Sequence, residues 1–111
     1  MAYLRKENRT VETHYPLKKV WTAVPKAVES LEWSVEEIDE ATHHVKVKTK
    51  AAFMLLSSVL LINVTPVNEN TTRVSVAAET PVTTITSIVD FAQGNRRISL
   101  FLSELSKNLV G

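Results

Sequence analysis

The last quarter of the chain constrains the rest most strongly. Ile88, Phe91, Asn95, Ile98, Leu102, Leu105 and Leu109 recur at alternating spacings of three and four, and Phe101 joins the same side. Only an α-helix brings such positions into one stripe. Just ahead, Ser87-Ile88-Val89-Asp90 has capping-box spacing, and the aspartate suits the positive helix end. The spacing predicts one helix from Ile88 to Leu109, about 33 Å long. A rod of that length with one apolar side needs a broad apolar surface to lie on.

The preceding residues supply that surface as strands. Arg9 to His14 alternates and reads as a short first strand. Trp33 to Asp39 and His43 to Lys50 read as a hairpin joined by Glu40-Ala41-Thr42. In its second arm Val45, Val47 and Thr49 face one way and His44, Lys46, Lys48 and Lys50 the other. Leu60 to Pro66 and Thr71 to Glu79 form another hairpin, with Leu60, Ile62, Val64, Val74, Val76 and Ala78 inward. Between the first two strands, Leu17, Val20, Trp21, Val24, Val28 and Leu31 make a second helical stripe. Pro16 suits the opening turn of that helix. Pro25 removes the bond to the Trp21 carbonyl and is expected to kink it. Pro81 to Thr86 reads as a Thr-rich connector. With two glycines in the chain, the turns rest mostly on Asn, Asp, Glu and Thr.

The expected architecture is therefore a single α+β domain over residues 1–111: an antiparallel sheet of four or five strands, two helices packed on one face, and the order β-α-β-β-β-β-α. The core list is Trp21, Val24, Val28, Trp33, Val45, Val47, Ile62, Val74, Val76, Ile98, Leu102 and Leu105. A length of 111 residues suits one domain with a real core.

Composition removes several function classes. There is no cysteine, which excludes a disulfide scaffold, a thiol nucleophile and a thiolate metal site. That absence fits a cytoplasmic, reducing setting, and the first ten residues lack an apolar stretch of signal-peptide length. A net charge of +1 gives no global pull toward nucleic acid or membrane. The run 51–64 is apolar but holds two serines and an asparagine and is shorter than the roughly 20 residues of a span, so no membrane partner is expected. His43 and His44 are adjacent strand residues pointing to opposite faces, so they cannot easily share a metal. No metal or cofactor is expected.

Three constellations invite chemistry. Asp90 to Arg97, with Gly94, Asn95, Arg96 and Arg97, has the residue types of a phosphate loop. The capping signal comes too early for that, so Gly94 is read as a helical residue that allows close approach to the sheet, with Arg96 and Arg97 facing water. Lys46, Lys48, Lys50 and Arg73 would form a basic stripe on the open sheet face, able to meet an anion or nucleic acid. The acids from Glu29 to Glu40 lie alongside, with Glu36 expected opposite Lys46 or Lys48. Glu37 is the carboxylate that strict alternation would bury, unless a bulge turns it out and Ile38 in.

The stretches THYPLKKVWTAV, a strand entering a helix with an apolar-Trp pair, and DFAQGNRRISLFLSEL resemble a shortened Bet v 1-like (START-related) helix-grip domain. The pattern also resembles small uncharacterised prokaryotic domains of the same β-α-β4-α order. They end in an Asp-x-x-x-Gly-Asn-like segment and an amphipathic helix. The larger family has more strands and helices, so the resemblance implies little room for a deep cavity, and it carries over no catalytic residues.

Three function classes follow. The first is a non-catalytic binding domain that takes an apolar small molecule or lipid between sheet and C-terminal helix, lined by Phe53, Leu55, Ile85, Phe91 and Ile98. The second is a homo-oligomerising interaction module that uses the outer sheet face (Val59, Leu61, Ala77) or the helix face around Leu100. The third is a hydrolase- or cyclase-type enzyme using Glu37, His14 or Asp90, which lacks any nucleophile or metal set to support it.

Overall fold

A computed structural model of the chain describes residues 3–50, 58–82 and 93–110. Within them β1 (Tyr3–Thr13) enters α1 (Leu17–Ser30). Then come β2 (Ser34–Asp39), β3 (His44–Lys48), β4 (Val59–Asn68) and β5 (Thr71–Val82), and α2 (Gln93–Val110) closes the order. All five strands form one antiparallel sheet in the order β1-β5-β4-β3-β2. The expected α+β architecture is the observed one.

Alternation decides which face is buried. Val45 and Val47 of β3, Leu60, Ile62 and Val64 of β4, and Val74, Val76 and Ala78 of β5 are almost wholly buried on one face. Their cross-strand partners fall in register, as in the row Val45, Ile62, Val76. Both helices cover that face. α1 contributes Val20, Ala23, Val24, Ala27 and Val28, and α2 contributes Ile98, Phe101, Leu105 and Leu109. Trp21, Trp33 and Leu102, expected in the core, pack against it only partly buried. α2 lies over β5 and β1 and against α1, while α1 lies over β4 and reaches β2.

Two strands run longer than the alternation suggests. β1 begins at Tyr3 and β5 continues through Pro81 to Val82, because the two ladder together from Thr13↔Thr72 to Tyr3↔Val82. Pro81 is tolerated because β4 pairs with β5 only up to Glu79, so no neighbour on that side asks for its missing N–H. Pro66 sits in β4 beyond Asn63, where β3 has stopped pairing, for the same reason.

The scarcity of glycine is visible in the turns. α1 ends in a Schellman motif: Trp33 N–H donates to the Val28 carbonyl at 3.1 Å and Glu32 N–H to the Glu29 carbonyl at 3.0 Å. Glu32 occupies the left-handed position with φ of 60°, where glycine would be unstrained. His43 does the same at 54° before β3. In that hairpin Asp39 Oδ1 accepts from the N–H groups of Ala41 (2.9 Å) and Thr42 (3.2 Å), an Asx-type turn. These bonds, that from Thr42 foremost, hold the Asp39 carboxyl below its ordinary value. α1 continues through Pro25 to Ser30.

α2 is helical from Gln93 onward, so Gly94 is a helical residue and not the apex of a turn. The predicted start at Ile88, the capping box at 87–90 and the connector beyond Val82 lie outside the described residues.

Candidate functional site

The candidate binding region lies where α2 begins its path over the covered face of the sheet. Of its expected lining, Ile98 is fully buried among the core residues. Phe53, Leu55, Ile85 and Phe91 lie outside the described residues, and so does Asp90.

What the structure adds is a buried polar group of residues beside Ile98. Thr49 N–H donates to the Ser58 carbonyl at 2.8 Å, and Ser58 N–H donates to Thr49 Oγ1 at 2.8 Å. Arg97 Nη1 donates to Ser58 Oγ. All three residues are buried, Arg97 to 6% exposure. A charged guanidinium is costly in an apolar core unless hydrogen-bonded, so its position is specified by these partners and not by packing alone. In sequence, Thr49 and Ser58 flank the apolar run that includes Phe53 and Leu55. On the other flank of α2, Arg9 of β1 reaches across to donate to Ser99 Oγ at 2.9 Å.

Arg97 corrects the expectation that both arginines face water; Arg96 alone is exposed. The spacing centres the apolar stripe on the series Ile98, Leu102, Leu105. The buried stripe is rotated from it, with Phe101, Leu105 and Leu109 at spacings of four along its centre. Arg97 stands four residues before Phe101 and therefore lies on the same row. That spacing is a signal in the sequence itself. Alternation with Val45 and Val47 places Thr49 on the covered face, where it is buried, whereas Ser58 leaves no comparable signal, because its pairing crosses a segment that periodicity cannot place.

The other candidate groups are not brought together. The register shift between Val35 and Glu37 turns Glu37 out, opposite Lys46, where it is exposed. Ile38 turns toward the covered side beside Val45, yet stays 51% exposed, because β2 is an edge strand and α2 does not reach it. His14 follows β1 at the opposite edge. Four strand spacings, roughly 19 Å, separate the two edges. Glu37 and His14 therefore form no common site.

The basic stripe is also divided. Lys46 and Lys48 stand on β3, while Arg73 lies two strands away on β5 and bonds Glu12 at 2.9 Å. Lys50 reaches Glu32 at 3.4 Å. Glu36, expected opposite Lys46 or Lys48, occupies the bulge and makes no ion pair with either among the described residues. His43 and His44 do part company: His43 meets the Trp21 ring edge-on at 5.0 Å, and His44 Nδ1 lies 2.8 Å from Asn63 Oδ1. No group of three metal-ligating side chains occurs among the described residues. No helix there is long and apolar enough to cross a membrane.

No family model matches the chain. No curated protein matches it either. Solved structures do. Norcoclaurine synthase from Thalictrum flavum, in complex with dopamine and hydroxybenzaldehyde, superposes with a TM-score of 0.70 at 11% identity, over 98% of this chain and 88% of that one. The Zhui aromatase/cyclase from Streptomyces sp. R1128 gives 0.66 at 9% identity, over 96% of both chains. Ara h 8.0201 gives 0.63 at 12% identity, over 98% of this chain and all of the other. Likeness at such identities speaks of architecture alone. With its five-stranded antiparallel sheet, its long final helix and these neighbours, the chain has the Bet v 1-like helix-grip fold in a short form.

Proposed function

We propose that this chain is a non-catalytic binding domain that holds an apolar small molecule or lipid between the sheet and the first half of α2. The observation that carries this reading is the placement of Arg97, Ser58 and Thr49 beside Ile98. A hydrogen-bonded polar group thus adjoins the apolar core. Apolar walls with a few fixed polar groups are the usual composition of a small-molecule site. A norcoclaurine synthase of the same fold has been solved with small molecules bound, which supports the reading by analogy of architecture only. The proposed lining is Phe53, Leu55, Ile85, Phe91 and Ile98.

The test is titration with N-phenylnaphthylamine, a neutral apolar fluorophore. The expected result is saturable enhancement at one site per chain, abolished in Ile98→Trp, weakened in Phe53→Ala and Phe91→Ala, and unchanged in Leu100→Ser. Circular dichroism verifies the fold of each variant. Enhancement that never saturates, or that ignores all three lining substitutions, rejects the reading.

A second reading is favoured by a separate observation. Leu100 is 46% exposed on the outer side of α2, and Leu61 pairs with Ala77 on the outer sheet face beside Val59. These are surfaces on which a homo-oligomer would form. Sedimentation equilibrium decides it: an oligomer that becomes monomeric in Leu100→Asp or Leu61→Asp supports this reading, and a monomer at high concentration removes it.

A further inference from the structure

A groove of about 410 Å³ runs between α1 and the C-terminal part of α2, away from the proposed apolar site. Its walls are Lys18, Lys19, Thr22 and Lys26 of α1 and Asn108 of α2, and the buried Ala23 lies within it. Its volume is within the roughly 300–1,000 Å³ of small-molecule sites.

The charge along this groove is not neutralised within the fold by a carboxylate among the described residues. Among the described residues, the lysines engaged by carboxylates are Lys50 and Lys107, and none of Lys18, Lys19 and Lys26 has a carboxylate within 4 Å. Lys19 instead places its ammonium 4.6 Å above the Tyr15 ring, which positions it without neutralising it. Glu104, one turn before Asn108, is engaged by Lys107 at 3.3 Å. Lys18 and Lys19 lie in the first turn of α1, which holds no acid, so both stand against the helix dipole. In a chain of net charge +1, three such cations on one wall are a local concentration and not the general character of the surface.

The geometry suits an anion with several oxygens. Lys18, Thr22 and Lys26 follow at spacings of four, so two ammonium groups bracket a hydroxyl along about 12 Å of helix. The Thr22 hydroxyl hydrogen is committed to the Lys18 carbonyl at 2.8 Å, so the ammonium groups and not this hydroxyl would hold an anion. Asn108 Nδ2 donates to the Glu104 carbonyl at 2.9 Å, which fixes the amide on the opposite wall. Ammonium groups are compact point charges that match phosphate oxygens well.

We propose that this groove binds a phosphate monoester, held by Lys18, Lys19 and Lys26. Two sources share that chemistry, a free phosphorylated small molecule and a lipid headgroup. The test has an arm for each. In the first, inorganic phosphate is titrated at constant ionic strength against chloride and followed by amide NMR. Saturable shifts confined to residues 16–26 and 104–110 are expected. Lys18→Gln with Lys26→Gln is expected to weaken binding about tenfold or more, since a single hydrogen bond to a charged group is worth about that factor. Lys46→Gln with Lys48→Gln removes equal charge elsewhere and is expected to leave binding unchanged. In the second arm, flotation is compared for vesicles of phosphatidylcholine with and without phosphatidic acid. Flotation that needs phosphatidic acid and both lysines assigns the lipid source, and phosphate binding without flotation assigns the soluble one. Shifts that track ionic strength whatever the anion, or equal binding by both double variants, overturn the proposal.

Discussion

β1 and β2 each form a free edge of the same sheet, yet they are finished differently. β1 pairs with β5 over eleven residues without a break, and Arg9, Val11 and Thr13 on its covered side are half-buried. β2 pairs with β3 over six residues with a bulge, and every one of its residues is exposed. Val35 and Ile38 lie beside Val47 and Val45, which are fully buried, but keep 42% and 51% of their surface in solvent. The difference is what crosses overhead: α2 lies over β1 and β5 and does not extend to β2, which α1 reaches without burying any of its residues. Side-chain direction is a property of the strand, whereas burial is a property of the layer above it. β2 manages its edge with the bulge and its acids instead of a cover, both recognised ways of discouraging edge pairing.

The contrast can be tested most severely by truncation. Ile62→Ala, in the covered middle of the sheet, is expected to cost about 2–5 kcal/mol. Ile38→Ala, on the uncovered edge, is expected to cost less than about 1 kcal/mol. Urea unfolding measures both, and equal costs would mean that β2 is covered after all. The two arginines beside α2 give a smaller contrast. Arg97→Ala strips a buried hydrogen-bonded charge and should cost about 1–3 kcal/mol, while Arg9→Ala, whose bond to Ser99 is exposed, should cost about 0.5–1 kcal/mol. Costs in the reverse order would place the specified end of the helix at β1.

At the entry to β2, Glu32→Gly is expected to stabilise the protein by about 0.5–1 kcal/mol. It removes the left-handed strain at the end of α1, and the exposed ion pair with Lys50 that it gives up is worth little. A fall in thermal midpoint would show that the ion pair outweighs the strain. The smallest effect belongs to Asp39. Because its carboxyl is held below the ordinary value, its contribution is present above the unfolded-state value and is lost as pH falls through the lowered one. Protection factors for amide exchange in the β2–β3 turn, which remove the intrinsic pH dependence of exchange, should therefore fall on acidification in the wild type, and Asp39→Ala should remove that fall.

Much of this architecture was legible because it rests on period. The alternation of Val45 and Val47, of Leu60, Ile62 and Val64, and of Val74, Val76 and Ala78 names the buried face outright. The helical stripes likewise place α1 and α2 on it. The bulge at β2 was legible as a conflict, since Glu37 and Ile38 could not both obey strict alternation and stay where their polarity prefers. What period could not show was the azimuth of α2. Spacings of three and four leave a stripe two possible centres, and the choice between Leu102 and Phe101 decides whether Arg97 faces water or Ser58. The length of β1 was hidden for another reason. Arg5, Lys6 and Glu7 carry no apolar alternation, and they extend the strand only because β5 continues to Val82 as a template. Of the proposed binding site, the sequence offered apolar residues and the inward face of Thr49, but not Arg97 and Ser58 beside it, which are set by the azimuth of α2 and by pairing between distant positions.

The pairing of β1 with β5 also has a consequence for biosynthesis. The first strand and the first helix leave the ribosome early, but the rung nearest to them already spans 59 positions of chain. Until Thr72 and the residues after it have been made, β1 has no neighbour to zip against. Completion of the sheet is thus postponed until β5 has emerged, and the segment made before it passes through a period of exposed apolar surface in which chaperone capture would be most useful.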